Sequence, residues 1–526
     1  MASFSSFNSI SKMSNALIDT FASKPHELNE GKVTVNQLLS KVASYYEKLR
    51  TAMDYGNEET ILRRAIERIL KRMLLLEANP KMLSESLIRE LVWAGYFPDA
   101  TVPQSAVEKT ANSIELYLKL KDEVIQRKLL PNDDVYDFIL QLLTCEIDVI
   151  LLPNKEKEAM ANFMFHILRN SVTIVDDSKQ TKDVQVFIAI RKNFARDDIA
   201  FLNYNLFRQI FGPLSHSNLE TTLSNFKEGY TEIKSQLSYP KKERIFNHIK
   251  KYTPPFLILY DILMDEKRNM KNLVKDEQQF RTRVYAACDR RYKRIKNKVR
   301  TAIIRSFIFI LFTKAFVALA IEGTFERFIY GNVAWLSIFL NITVPPVLMA
   351  IVGLGIRTPE QDNSELIYRY IERILTEDEP KIAPLLSIRL KSNRPGMKDT
   401  IFSILWFMAT LLSFGLISYL LTKLHFNPLS QAIFLFFIAI ISFLTYRIYQ
   451  TANIYTVLYK QNIFTPLVDF FFVPIVRVGR RLTEGISQIN FLLIVIDFII
   501  EAPFKALVGF FEQWFSFVAN KREELE

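Results

Sequence analysis

At 526 residues the chain has room for several domains on the usual scale of about 100 to 200 residues each. Its composition is 49% hydrophobic with 42 Phe, and the apolar runs are concentrated after residue 300, which excludes a single compact water-soluble globule. Two cysteines, Cys145 and Cys288, exclude a disulfide framework and a Cys-based zinc site within the chain, and favour a reducing compartment.

In chain order, the opening stretch MASFSSFNSISKMSNALIDTFASK has neither the continuous apolar core nor the small-residue cleavage site of a signal peptide. Residues 1–300 are therefore expected to stay on the cytosolic side, where they are made. Only Gly31, Gly56, Gly95, Gly212 and Gly229 precede residue 300, and period-two β-branched alternation is hardly seen, so the fold class predicted is all-α. In EETILRRAIERILKRMLLLEANP the apolar residues Ile61, Leu62, Ala65, Ile66, Ile69, Leu70, Met73 and Leu74 recur at steps of three and four, and Pro80 follows. VYDFILQLLTCEIDVILLP, after Pro131, has the same character.

In PNDDVYDF, Asp133, Asp134 and Asp137 set two adjacent carboxylates and a third one helical turn later. The DDxxD motif of isoprenoid synthases holds magnesium against a diphosphate in this way. A second metal-binding cluster is missing from the sequence, and a helix dipole favours acidic residues in the first turn anyway. The three are read as a helix start and only as weak metal candidates. Asp176 with Asp177 and Asp197 with Asp198 are read as capping pairs. The five histidines show no metal spacing, and no P-loop, GxGxxG or GxSxG is present. No catalytic residue, metal or cofactor is assigned.

Between Pro255 and Gly323 there is neither Pro nor Gly, which predicts one or two long helices running from the soluble part into the bilayer. The net charge of +11 raises nucleic acid as a partner, but Arg290, Arg291, Lys293, Arg294, Lys296, Lys298, Arg300 and Arg305 lie in one acid-free run just before the first apolar segment. With one interleaved aromatic, Tyr292, and no glycine-rich cradle, nucleic acid is not expected. The run is a membrane-orientation signal first, and Arg290 to Arg300 are candidates for contact with anionic lipid head groups.

Four spanning helices are predicted near 303–322, 332–356, 400–422 and 428–446, each long enough for a hydrocarbon core of about 30 Å. The basic run and the basic loop 357–399 share one side, whereas EGTFERFIYG and KLHFN carry few charges and face the other. The scheme is a cytosolic helical domain at 1–300, a first hairpin at 301–356, a cytosolic loop at 357–399 with a short amphipathic helix (SELIYRYIERIL), and a second hairpin at 400–446. A re-entrant or interfacial helical tail follows at 447–526. Both termini are cytosolic in this scheme, with the chain multi-pass in the cytoplasmic membrane. In the tail, FTPLVDFFFVPIV is broken by Pro466, Asp469 and Pro474, and the segment from Ile489 to Ala519 carries a polar stripe that suits a helix lying flat.

Polar residues within the spans are the informative ones. A charge at the centre of a bilayer costs at least about 2.5 to 3.5 kcal/mol and is usually buried or paired. Lys314 lies in the middle of RSFIFILFTKAFVALAIEG, and LNITVPPVL in the second span carries Pro345 and Pro346, which deprive the carbonyls of Asn341 and Ile342 of their intrahelical donors. Lys314 and Asn341 fall at the same depth in an antiparallel hairpin. An intramembrane cluster of Lys314, Asn341, Pro345, Pro346 and Glu322 is expected, with the freed carbonyls accepting from Lys314 and Glu322 as a second partner. In the third span, Ala409, Thr410, Ser413, Gly415 and Ser418 are read as a small-residue packing face.

With most polar mass on one side and no catalytic set, the expected function is a membrane-anchored scaffold, its partners the lipid bilayer and a protein bound through the cytosolic domain. A transporter or channel component using Lys314 and the proline break comes next, and a membrane-bound enzyme using the aspartates third.

Overall fold

The computed structural model describes residues 10–23, 31–35, 44–45, 47, 60–75, 79–329, 331, 335–389, 397–457, 465–487 and 514. It is all-α, with almost no strand. Chain contacts divide it into two units, one formed by Lys12–Thr253 with Asp378–Leu390, the other by Pro254–Glu377 with Lys391–Phe491.

The first unit contains α1 (Lys12–Ala22), α2 (Ile61–Met73), α3 (Pro80–Trp93), α4 (Gln104–Gln126), α5 (Asn132–Leu151), α6 (Lys155–Leu168), β1 (Val172–Ile174), α7 (Lys179–Ile190), α8 (Ile199–Phe211), α9 (Leu219–Leu237) and α10 (Lys242–Tyr252). The three-and-four spacing of α2 turns Ala65, Ile66, Ile69 and Leu70 into one buried stripe. That stripe joins a core with Leu87 of α3, Tyr117 of α4, Phe138 of α5, Phe207 of α8 and Phe226 of α9. Full burial of each such side chain stabilises by about 1.5 to 3 kcal/mol. Short polar side chains set the helix starts. Asn79, Asn154, Ser178 and Asp198 accept from the backbone amides of Lys81 (3.0 Å), Lys157 (3.2 Å), Thr181 (3.0 Å) and Phe201 (3.0 Å). A π-helical turn, Arg191–Ala195, follows α7 and ends at Arg196 in the left-handed region (φ 58°).

One feature is absent from the all-helical expectation. β1 pairs in parallel with β2 (Leu386–Ile388), in the register Val172 to Leu386, Thr173 to Ser387 and Ile174 to Ile388. Neither three-residue segment alternates long enough to announce a strand.

The second unit contains α11 (Pro254–Asp265), α12 (Met270–Leu273), α13 (Glu277–Val317), a π-helical segment Ala318–Gly323, α14 (Thr324–Ile329), α15 (Trp335–Leu354), α16 (Gln361–Thr376), α17 (Met397–Lys423), α18 (Pro428–Ala452) and α19 (Thr465–Ser487). Without Pro or Gly, α13 runs unbroken for 41 residues, or about 60 Å. Its first half buries Phe280, Val284, Ala287 and Cys288, and α16 buries Ile367, Ile371, Ile374 and Leu375. Arg281 pairs with Glu365 of α16 at 2.8 Å. Asn363 ties three elements together: its amide donates to the Tyr292 hydroxyl and the Tyr455 carbonyl, both at 2.8 Å, and its oxygen accepts from the Val457 amide at 2.7 Å.

Among the described residues four helices are long and apolar enough to cross a membrane, within Glu277–Ile329, Trp335–Leu354, Thr400–Lys423 and Pro428–Ala452. Their outward faces carry Phe309, Phe312, Phe316, Phe402 and Phe407, all exposed, as a lipid solvent requires. Pro345 and Pro346 lie inside α15, which remains one continuous helix. From Thr465 on, the stretch TPLVDFFFVPIV likewise forms part of a continuous helix, α19, with Pro474 inside it rather than breaking it. The segment from Ile489 to Ala519 lies outside the described residues apart from Trp514.

Contacts between α19 and its neighbours are intimate. A Cβ at Gly479 would collide with the carbonyl of Ala439 in α18. Ser413 of α17 donates to the Phe471 carbonyl at 3.0 Å, and Arg477 lies 5.4 Å from the ring centre of Trp406. Ala409 and Ser413 are buried, whereas Gly415 is exposed with open space around its Cα, so the small-residue face of α17 does not include it.

Candidate functional site

The polar residues of the spans come together in one buried cluster within the membrane unit. Lys314 of α13, Glu322 of the π-helical segment and Asn341 of α15 are each 0% exposed, and Pro345 and Pro346 are buried beside them in sequence. The i→i+5 turn changes the phase of the first span just before Glu322. Glu322 then meets α15 and α18 at once: it accepts hydrogen bonds from the Asn341 amide and from the Ser430 hydroxyl (3.4 Å). The Asn341 amide also reaches the Ser430 carbonyl at 3.3 Å. One turn further along, Glu326 accepts from the Asn427 amide at 2.6 Å, while the Asn427 oxygen caps α18 through the Ser430 amide at 2.8 Å. The first, second and fourth spans are thereby joined by charged and neutral hydrogen bonds, with Glu322, Glu326, Asn341 and Ser430 all buried.

Lys314 is held differently from the expectation. Its ammonium donates to no carbonyl, and among the described residues Nζ makes no hydrogen bond. It lies over two rings of α18, 4.8 Å from the centre of Phe434 and 5.0 Å from that of Phe437. Such cation–π contacts contribute about 0.5 to 2 kcal/mol each. The carboxylate of Glu322 is near enough for the two charges to act on each other, without an ion pair. The geometric reason is the continuity of α15: the helix carries its carbonyls along its own axis, while the side chain of Lys314 points across the bundle to α18.

The other sequence candidates lie elsewhere. Asp133, Asp134 and Asp137 are exposed in the opening turns of α5, and Asp137 stands 3.8 Å from Lys71. Among the described residues no group of three His, Cys, Asp or Glu side chains could hold a metal ion. In the basic run, Arg290 pairs with Asp265, Arg291 with Asp261, and Lys293 with Asp289 at 2.7 Å. Lys293, Arg294, Lys296, Lys298 and Arg300 are exposed on α13.

Phe434, Phe437, Ser430, Asn427 and Glu326 belong to the cluster and were not singled out from the sequence. Asn427 had a signal, since Asn-Pro ahead of an apolar run is a helix start. The two Phe had none, because a lysine and a ring more than a hundred residues apart carry no local pattern. Comparison with known proteins finds no matching family model, curated protein or solved structure.

Proposed function

We propose that this protein is a membrane-anchored scaffold whose helical domain binds a protein partner at the cytosolic face of the membrane. The observation that carries this reading is that the intramembrane polar residues turn to neighbouring helices, Glu322 and Asn341 bonding each other and Ser430, and Lys314 lying over the rings of Phe434 and Phe437. Lys314, Glu322 and Asn341 are fully buried, and their contacts run between helices. Polar groups used in this way fix how spans pack, as polar side chains between membrane helices commonly do. In this proposal the exposed bases of α13 face anionic head groups on the cytosolic side, and both termini share that side.

The test is cross-linking of the full chain in native membranes, followed by purification and mass spectrometry. A partner recovered reproducibly, with cross-links on the first unit, supports the scaffold. The transport reading rests on the same buried charges, because ionisable residues inside a bilayer also mark ion paths. Ion flux in proteoliposomes that disappears on Lys314→Met would replace the scaffold with a transporter.

A further inference from the structure

The first unit holds a cavity of about 190 Å³ between α5, α6, the π-helical turn Arg191–Ala195 and α8. At a water's share of liquid volume, about 30 Å³, that is room for a molecule of about six non-hydrogen atoms.

Seven charged side chains line it, and six of them are answered. Arg191, 4% exposed, donates through Nη1 to Glu158 (2.6 and 2.7 Å) and through Nε to Asp197 (2.6 Å), so these three close on one another. Lys157 and Arg196 each have a partner. Arg208 is exposed to solvent and donates to the Tyr204 hydroxyl at 3.0 Å. Asp148 is the seventh. Its side chain is nine-tenths buried, lines the cavity, and has no hydrogen bond or ion pair among the described residues. A buried carboxyl with no donor is costly unless something supplies one. The rest of the wall offers an acceptor and apolar surface. Asn205 gives its Nδ2 to Asp197 at 2.9 Å and keeps Oδ1, while Val149, Leu152, Ala195 and Phe201 contribute hydrocarbon.

We infer that this cavity binds a small primary alkylamine, its ammonium group donating to Asp148 and its alkyl chain lying on the apolar part of the wall. An anion or a zwitterion would bring a carboxylate to a wall whose bases are already engaged. A neutral donor would leave the charge of Asp148 unopposed, and a metal ion would find no group of three His, Cys, Asp or Glu among the described residues. The volume excludes a peptide. The inference does not depend on the scaffold reading.

The experiment is titration calorimetry on the full chain in nanodiscs at about pH 8, with methylamine, n-propylamine and n-butylamine. The controls are n-butanol, which has no charge, and tetramethylammonium, which has no N–H. An alkylamine binds at millimolar concentration or below, and both controls bind about tenfold or more weakly, the worth of one charge-assisted hydrogen bond. Burial pushes the Asp148 carboxyl up to about 7, against the fields of Arg63 on α2 and Lys157 on α6 and with those of Asp198 and Asp197 at the start of α8. Ammonium and proton therefore compete for it: affinity is steady above pH 7 and falls by about tenfold per pH unit below. Asp148→Asn removes this pH dependence and loses about tenfold or more in affinity at pH 8, while the ligand-free protein stays at least as stable, because an unanswered charge is gone. Failure of all three amines to bind at millimolar concentration, n-butanol matching n-butylamine, affinity that does not change with pH, or binding unaltered by Asp148→Asn would each overturn the inference.

Discussion

A single buried charge can be judged by comparing what it loses with what it gains. Lys314 loses its hydration and finds two aromatic faces but no acceptor, so its gains of about 0.5 to 2 kcal/mol per ring compete with a desolvation cost of several kcal/mol. The cost wins. Lys314→Met, which keeps the length and packs against Phe434 and Phe437, is expected to leave thermal stability unchanged or raise it; a loss of about 2 kcal/mol would show an acceptor for the ammonium. Glu322→Ala is expected to destabilise by about 1 to 3 kcal/mol, since it strands the Asn341 amide and the Ser430 hydroxyl. The depth of Lys314 and its need for compensation were legible in the sequence, because both follow from hydropathy alone. The identity of its partners was not, because it depends on which helix packs across from it. Asp148 makes the same comparison through pH. Burial, with Asp198 and Asp197 adding to it and Arg63 and Lys157 opposing it, pushes its carboxyl from the ordinary 3.8 up to about 7. A carboxyl raised on folding favours the folded state when protonated, so its contribution is fully present below about pH 3.8 and is lost as the pH rises through 7. Asp148→Asn should remove that decline and raise the stability to chemical denaturation at pH 8, by on the order of 4 kcal/mol at most. An unchanged pH profile would mean that the carboxyl has a donor.

Helix boundaries and spans were legible because Pro, Gly, caps and apolar length act locally. Irregularities within helices were less so. Pro345, Pro346 and Pro474 suggested breaks, yet α15 and α19 run through them, since neighbouring helices hold the backbone in place where a proline removes one bond. Two glycines of the membrane unit separate packing from propensity. At Gly479 the carbonyl of Ala439 occupies the space of a Cβ, so Gly479→Ala has to push α18 and α19 apart and should cost at least about 1 to 3 kcal/mol. Nothing lies within 4 Å of a Cβ at Gly415, so Gly415→Ala should be neutral or stabilise α17 by up to about 1 kcal/mol. Equal effects of the two substitutions on unfolding in detergent would refute the close approach of α18 and α19.

For the molecule as a whole, orientation in the bilayer is the first thing to measure. Cys145 and Cys288 are each 0% exposed, so a thiol reagent meets little background even in the unaltered chain. Phe328, 91% exposed between the first and second spans, replaced by Cys should react with an impermeant reagent from outside intact cells, and Glu360→Cys should react only after permeabilisation. The reverse pattern would invert the topology. The parallel pairing of β1 with β2 has a consequence in time. About two hundred residues separate Ile174 from its partner Ile388, and the first two spanning segments lie between them. At roughly 5 to 20 residues per second, a ribosome needs on the order of 10 to 40 s to supply the second strand after the first. The helical unit therefore emerges long before it can be finished, and its last strand is made only after the first hairpin has been synthesised.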